Sequence, residues 1–251
     1  AGETLPAPIW QDWHDRTGKP MLDGIGATEM LHIFISAVED EIRPGATGKP
    51  VPGYEAKIVD DEGRDVPPGT MGRLAVRGPT GCRYLADARQ TKYVRDGWNI
   101  TGDAFVSDEN GRLSFVARAD DMIISAGYNI AGPEVEAALL AHPDVAECAV
   151  LGVKDAIKGE VPCGFLVLKA GVTKAPDQVE KEVVALVREK LGPVAAFKLA
   201  ITVGRLPKTR SGKILRGTIK KIADGESWTM PATIEDPKVL DEIGEALKGK
   251  A

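Results

Sequence analysis

The sequence predicts a mixed α/β chain: the end of a larger domain carrying a small β-barrel, then a compact α/β domain of about 100 residues. Three observations carry this. Residues 45–117 are crowded with turn residues, among them Pro50, Pro52, Gly53, Gly63, Pro67-Pro68-Gly69 and Asn110-Gly111, and short β-type runs lie between them. Several short strands at such spacing read as a barrel or sandwich. After Asp120-Asp121 the texture changes, and helical periodicity alternates with short apolar runs, the mark of an α/β unit. Finally, the chain opens on Ala1 with sequence that reads like the interior of a domain, so a portion of a longer protein is expected. The expected segments are 1–119, with the barrel over about 45–117, then 120–225, then a tail over 226–251.

In chain order, residues 5–16 place Trp10 and Trp13 among polar neighbours, as in an amphipathic helix. Pro20-Met21-Leu22-Asp23 reads as a short strand ending in the glycine-bearing turn Gly24–Glu29. Barrel strands are expected at Ala56–Val59, Arg73–Arg77 and Leu113–Val116. Pro133 opens a helix with Val135, Ala138 and Leu139 on one face, closed by His142-Pro143. Strands follow at 146–151 and 163–168. Residues 176–191 place Val179, Val183, Leu186, Val187 and Leu191 at helical spacing, the clearest amphipathic helix in the chain. A strand at 199–203 and a helix from about 214 to 223 complete this domain, and a short terminal helix follows Pro231 and Pro237.

Composition excludes several classes. With 43% apolar and 27% charged residues the chain can bury a core without disulfides or a structural metal. Cys82, Cys148 and Cys163 are far apart with no CxxC, and His14, His32 and His142 lack metal-ligand spacing, which fits a reducing cytoplasm. No apolar run approaches the roughly 18 residues of a membrane helix. Aromatic residues are only 5%, too sparse for a single-strand stacking platform. Net charge is −5, yet residues 205–221 hold seven basic groups and no acidic one, as on a solvated face or an anion contact.

Four segments can carry chemistry. Asp23–Glu29 is a glycine-bearing turn that lets backbone approach a phosphate, with Thr28 as a donor and Glu29 as an oxygen ligand for Mg²⁺; taken alone, it reads better as an ordinary β-turn. Glu29 stands where the last glycine of a GxGxxG motif belongs, which excludes a dinucleotide fold. In Trp98-Asn99-Ile100-Thr101-Gly102-Asp103 the aspartate can accept two hydrogen bonds from a vicinal diol, or cap its own turn. Arg118-Ala119-Asp120-Asp121 offers two carboxylates for a metal, or a solvated linker between domains. Leu206-Pro207-Lys208-Thr209-Arg210-Ser211-Gly212-Lys213 presents a lysine to an anion, or is a basic loop; it does not match a phosphate-binding P-loop.

In this order the four segments resemble the adenylate-forming superfamily of acyl-CoA synthetases, peptide-synthetase adenylation domains and luciferases. The likeness runs from about residue 21 to 224. It implies that a carboxylate attacks the α-phosphate of Mg-ATP to give acyl-AMP, and that coenzyme A then displaces AMP. Thr28 would contact the α-phosphate and Glu29 the magnesium. Gly26 and Ala27 would border the acyl carboxylate, and Asp23 would approach the adenine. Asp103 and Arg118 would hold the ribose. Lys213 would bridge the attacking carboxylate and the α-phosphate. Asp120 matches the hinge about which a mobile C-terminal lid rotates, and Gly127 would line the pantetheine tunnel.

Departures qualify the likeness. Many relatives carry arginine where this chain has Asn129. Asp23–Phe34 and Ser125–Glu136 resemble benzoate- and 2-aminobenzoate-CoA ligases, whereas the stretch from Leu151 onward resembles propionate- and acetate-CoA ligases. A phosphate-covering Ser/Thr/Gly-rich loop with a lysine, and most of the acyl pocket, are expected upstream, so these 251 residues alone are expected to turn over little. The implied substrate is a small acid, aromatic in preference to short-chain aliphatic, with ATP, Mg²⁺ and coenzyme A. A carrier-protein-loading adenylation domain and a non-catalytic module that binds nucleic acid through 205–221 are the rival readings.

Overall fold

The structure, a computed structural model, describes residues 4–249. The terminal residues 1–3 and 250–251, including Ala1 and the end of the expected tail, lie outside the described residues. Two compact units are present, Leu5–Asp120 and a second beginning at Asp121.

In the first unit, α1 (Ala7–Thr17) starts with a proline in its first turn and stops at Gly18, whose φ of +64° closes the helix through its N–H to His14. No residue of α1 is buried; Trp10 ties it down by donating from Nε1 to the Met21 carbonyl at 2.9 Å. Strands β1 (Gly24–Gly26), β2 (Ile33–Ser36) and β3 (Lys49–Pro50) form a small antiparallel sheet. The strand expected at Pro20–Asp23 is therefore corrected: pairing begins at Gly24. A Cβ on Gly26 would come within 2.7 Å of the His32 carbonyl oxygen, so the close approach to β2 selects glycine against its poor strand propensity.

The expected barrel is an open half-barrel. Strands β4 (Glu55–Val59) and β5 (Gly72–Arg77) pair antiparallel. A short helix α2 (Arg89–Tyr93) leads into β6 (Val94–Arg95), β7 (Trp98–Ser107) and β8 (Leu113–Arg118). β7 pairs with β5, β6 and β8. The Trp98–Asp103 stretch is thus the first half of a ten-residue strand. Met30, Phe34, Ile35, Leu74, Val76 and Phe105, all 0% exposed, form the core beneath both sheets.

The second unit opens with the hairpin β9 (Ile123–Ser125) and β10 (Tyr128–Ile130). Its two loop residues, Ala126 and Gly127, both have positive φ, +49° and +83°, the signature of a type I′ turn. Helix α3 (Gly132–Leu140) follows, then the long antiparallel pair β11 (Val145–Asp155) and β12 (Gly159–Leu168). Helix α4 (Pro176–Leu191) is the crossover that lets β13 (Leu199–Thr202) pair parallel to β12. Helices α5 (Arg216–Ala223) and α6 (Lys238–Lys248) complete the unit.

Neighbouring residues of β12 serve opposite faces of the sheet, as the two-residue period of a strand requires. Leu166 packs with Val135, Leu139, Val179, Val183 and Val187 under α3 and α4, while Phe165 packs with Ile201, Ile219, Val239 and Ile243 under α5 and α6. The sheet is therefore sandwiched between helix layers. Each fully buried valine of α4 contributes about 1.5–3 kcal/mol relative to exposure. Val239 and Ile243 tie the end of the chain into this core, Ile234 bridges to Thr209, and Arg205 holds Asp236 and Glu242 at 2.7 and 2.9 Å.

Candidate active site

The candidate residues of the first unit sit on β1, on the turn after it, and on the β7–β8 ladder. Asp23 precedes β1, and its carboxylate accepts the Gly24 N–H at 2.8 Å. Burial pushes this carboxyl above its usual range, with the Gly24 hydrogen bond acting against the rise. Ser36 of β2 donates to the Asp23 carbonyl at 2.7 Å, which fixes where the chain enters the sheet. Gly26 and Ala27 lead into a one-turn 3₁₀ helix, Thr28–Met30, rather than an ordinary β-turn. Met30 is fully buried, and its carbonyl accepts the Thr80 hydroxyl at 2.5 Å. The buried methionine pins the turn, so Thr28 is left exposed and Glu29 half-buried.

Glu29 is met by a residue that the motifs did not flag. Tyr84 donates its hydroxyl to Glu29 Oε1 at 2.6 Å across 55 positions of sequence. That hydrogen bond, with burial and the Glu29 charge, pushes the Tyr84 phenol up to about 12. Tyr93 packs edge-on against Tyr84 at 5.9 Å, and burial with the nearby Glu29 charge raises its phenol as well. Asp103 contributes to the same rise. Burial and the Glu29 carboxylate likewise push the Cys82 thiol above its ordinary value. The two tyrosines thus link the field of Glu29 to that of Asp103. No local pattern betrays Tyr84, because its partner lies on a distant 3₁₀ turn.

Asp103 and Arg118 are paired residues across β7 and β8, with Nη1 3.6 Å from Oδ1. Gly102 permits this: a Cβ there would stand 2.8 Å from Arg118 Nη2. The Arg118 Nε also donates to Asp120 at 3.1 Å, so the predicted ribose pair and the predicted hinge residue share one guanidinium. The Asp120 side chain is 72% exposed, a contact that water can replace.

In the second unit, Lys213 sits on a turn from Lys208 to Ile214. The Thr209 N–H donates to the Lys213 carbonyl at 2.8 Å, the Lys213 N–H to Thr209 Oγ1 at 3.1 Å, and Gly212 takes a φ of +86°. Lys213 itself is exposed, and no ion pair engages it among the described residues. Its basic neighbours differ: Arg205 pairs with Asp236 and Glu242, Lys208 with Glu147, Arg216 with Glu136, and Lys220 with Glu160. The basic run is therefore partly neutralised: among the described residues no ion pair engages Arg210, Lys213 or Lys221. Gly127 occupies the type I′ turn, where a Cβ would meet open space. Asn129 is exposed on β10.

Two family models match. The AMP-binding enzyme model covers residues 1–84, and the AMP-binding enzyme C-terminal domain model covers residues 134–213. The chain belongs to the adenylate-forming, AMP-binding enzyme family. It is 39% identical over 260 residues to an uncharacterised protein of Pseudomonas aeruginosa, covering 99% of this chain and 41% of that protein. It is 38% identical over 253 residues to the mitochondrial acyl-CoA synthetase short-chain family member B of Dictyostelium discoideum, covering 96% of this chain and 37% of that protein. Among solved structures, an anthranilate CoA ligase in complex with anthranoyl-AMP matches with a TM-score of 0.82 at 37% identity, over 87% of this chain and 43% of that one. The chain thus spans about two fifths of the length of these AMP-binding relatives.

The second unit also gathers His142, Asp144 and Glu182, whose nitrogen and oxygen atoms lie within 4.8 Å of one another. The hydrogen bonds argue that this is a structural cluster. His142 Nδ1 accepts the Asp144 N–H at 3.2 Å, so the ring proton resides on Nε2, which donates to Glu182 at 3.1 Å. No ring lone pair is left for a metal. The cation of the cluster is Lys174, 2.9 Å from Asp144 and 2.8 Å from Glu182. Among the described residues, no helix is long and apolar enough to cross a membrane.

Proposed function

We propose that this chain is the C-terminal portion of an AMP-forming acid–thiol ligase that converts a small carboxylic acid, ATP and coenzyme A into an acyl-CoA. In the first half-reaction a carboxylate oxygen bonds to the α-phosphorus and the bond to pyrophosphate breaks. In the second, the coenzyme A thiol attacks the acyl carbon and AMP departs. Neither step asks for strong acid–base chemistry; both ask for positioning and charge neutralisation.

The observation that carries the reading is the Asp103–Arg118 pair on the β7–β8 ladder. A carboxylate set beside a guanidinium on a rigid ladder is an acceptor that suits the two hydroxyls of a ribose. Thr28, exposed at the start of its 3₁₀ turn, donates to the α-phosphate. Glu29 fits a hard cation: Mg²⁺ takes oxygen ligands and is usually held by one or two carboxylates together with substrate phosphates. When bound, Mg²⁺ neutralises phosphate charge. Asp23 lies against the adenine, and Gly26 and Ala27 border the acyl carboxylate. Lys213 is a compact point charge for the acyl carboxylate and the α-phosphate. Asp120 is the hinge of a mobile domain, and Gly127 lines the pantetheine path.

The preferred acid is aromatic, of the benzoate or 2-aminobenzoate kind. The support is the likeness of residues 23–34 to such ligases and the match to an anthranilate CoA ligase. A short-chain acid is the second reading, favoured by the short-chain synthetase relative. Pyrophosphate release by the full-length protein, measured over a panel of benzoic, aminobenzoic, acetic and propionic acids, tests both. Release with benzoic acids supports the first reading, release with acetate or propionate alone supports the second, and no acid-dependent release contradicts both. Substituting a phosphopantetheinyl carrier protein for coenzyme A in the same assay tests carrier loading.

A further inference from the structure

We propose that Tyr84 is a positioning residue for Glu29: its hydroxyl fixes the carboxylate so that Oε2 faces the divalent cation of the nucleotide. The inference rests on the reading of Glu29 as a magnesium ligand and deepens it.

Three features of the structure carry it. The first is the hydrogen bond itself, 2.6 Å from the Tyr84 hydroxyl to Glu29 Oε1, which commits one carboxylate oxygen and leaves the other for the metal. A glutamate has three rotatable bonds, and an unrestrained carboxylate samples many rotamers. The second is that Tyr84 is itself held from three directions. Its N–H donates to Gln90 Oε1 at 2.8 Å, the Arg89 guanidinium lies 4.5 Å from its ring centroid, and Tyr93 meets its edge at 5.9 Å. Arg89 is pinned in turn, with Nε and Nη2 donating to Asp87 Oδ2 at 2.9 and 2.7 Å. A phenol so constrained is a rigid post rather than a surface side chain.

The third feature is the chemistry of the donor. A lysine or arginine in this position would orient Glu29 but also cancel its charge. A neutral phenol orients the carboxylate and leaves its negative charge for Mg²⁺, the usual logic by which outer partners aim a metal ligand. Among the described residues no ion pair engages Glu29, and the nearby cation Arg89 is committed to Asp87.

The test measures ATP binding to the full-length protein by calorimetry, without acid, in the presence and absence of Mg²⁺. The quantity read is the factor by which Mg²⁺ tightens ATP. For Tyr84→Phe this factor falls about tenfold, the usual scale for loss of an outer partner of a metal ligand, while ATP affinity without Mg²⁺ is unchanged. For Glu29→Gln the factor falls to near one. If Glu29→Gln abolishes the Mg²⁺ effect and Tyr84→Phe keeps it whole, the positioning role is overturned and the ligand role stands. If Tyr84→Phe weakens ATP equally with and without Mg²⁺, Tyr84 merely supports the fold and the proposal is overturned. If Glu29→Gln keeps the Mg²⁺ effect, the ligand reading beneath it fails.

Discussion

Arg118 reaches two carboxylates from one strand end: its Nη1 lies 3.6 Å from Asp103 Oδ1 and its Nε 3.1 Å from Asp120 Oδ1. The inner carboxylate is only 14% exposed and the outer one 72%, so the guanidinium has a firm partner and an exchangeable one. That asymmetry suits a group that holds a ligand on one side and lies beside a proposed hinge on the other.

If Asp103 accepts the ribose hydroxyls, Asp103→Ala in the full-length protein removes hydrogen bonds to a charged acceptor, worth about 1.5–3 kcal/mol each. The expected result is a KM for ATP raised about tenfold to a hundredfold, with discrimination against 2′-deoxy-ATP lost. Steady-state kinetics with both nucleotides check this. An Asp103→Ala enzyme that still rejects 2′-deoxy-ATP as the parent does would exclude the ribose assignment.

Gly127 has a structural duty that is separable from a tunnel role. Its φ of +83° costs an L-residue about 1–2 kcal/mol, whereas asparagine tolerates this region well. Space at the Cβ is open in the second unit. Gly127→Ala is therefore expected to lower the melting temperature and Gly127→Asn to lower it less. If the glycine also lines the thiol path, Gly127→Asn keeps pyrophosphate release and loses thioester formation. Full thioester formation by Gly127→Asn would leave the turn as its sole duty.

Hydrogen bonds from Lys174, Gln178 and His142, and the Lys174 charge, hold the Glu182 carboxyl at about 2, below its ordinary 4.5. A depressed carboxyl stabilises the folded state above its unfolded pKa, and that contribution is lost as pH falls through the folded one. The gap in melting temperature between the parent and Glu182→Gln is expected to be full at pH 6 and to close as pH falls from about 4.5 to 2. A gap that stays constant down to pH 2 would contradict this role.

Much of the fold is legible in the sequence where one period dominates. Val179, Val183 and Val187 recur every four residues and are all 0% exposed, and α4 runs over the expected 176–191. Legibility fails where tertiary contact overrides propensity. Glycines would argue against a strand at 24–26, yet β1 forms there because β2 lies too close for a side chain at Gly26. Trp98–Ser107 hides a long strand because Thr-Gly-Asp reads as a turn and the ladder slips its register near Ala104. In the site, Asp103 and Arg118 belong to motifs, so the sequence could nominate both. Tyr84 could not be nominated: its meaning comes from a carboxylate 55 residues away, on the 3₁₀ turn after β1.

The role of Lys213 is the most direct test of the ligase account. Its side chain is exposed on a turn held by Thr209 and Gly212. Lys213→Ala is therefore expected to leave the fold intact. The decisive measurement assays both half-reactions of full-length Lys213→Ala: pyrophosphate release from acid and ATP, and thioester formation from supplied acyl-AMP and coenzyme A. The account predicts loss of the first by at least a hundredfold, the scale for removing one charge-stabilising group, with the second retained. Equal loss in both half-reactions, or none in the first, would contradict it.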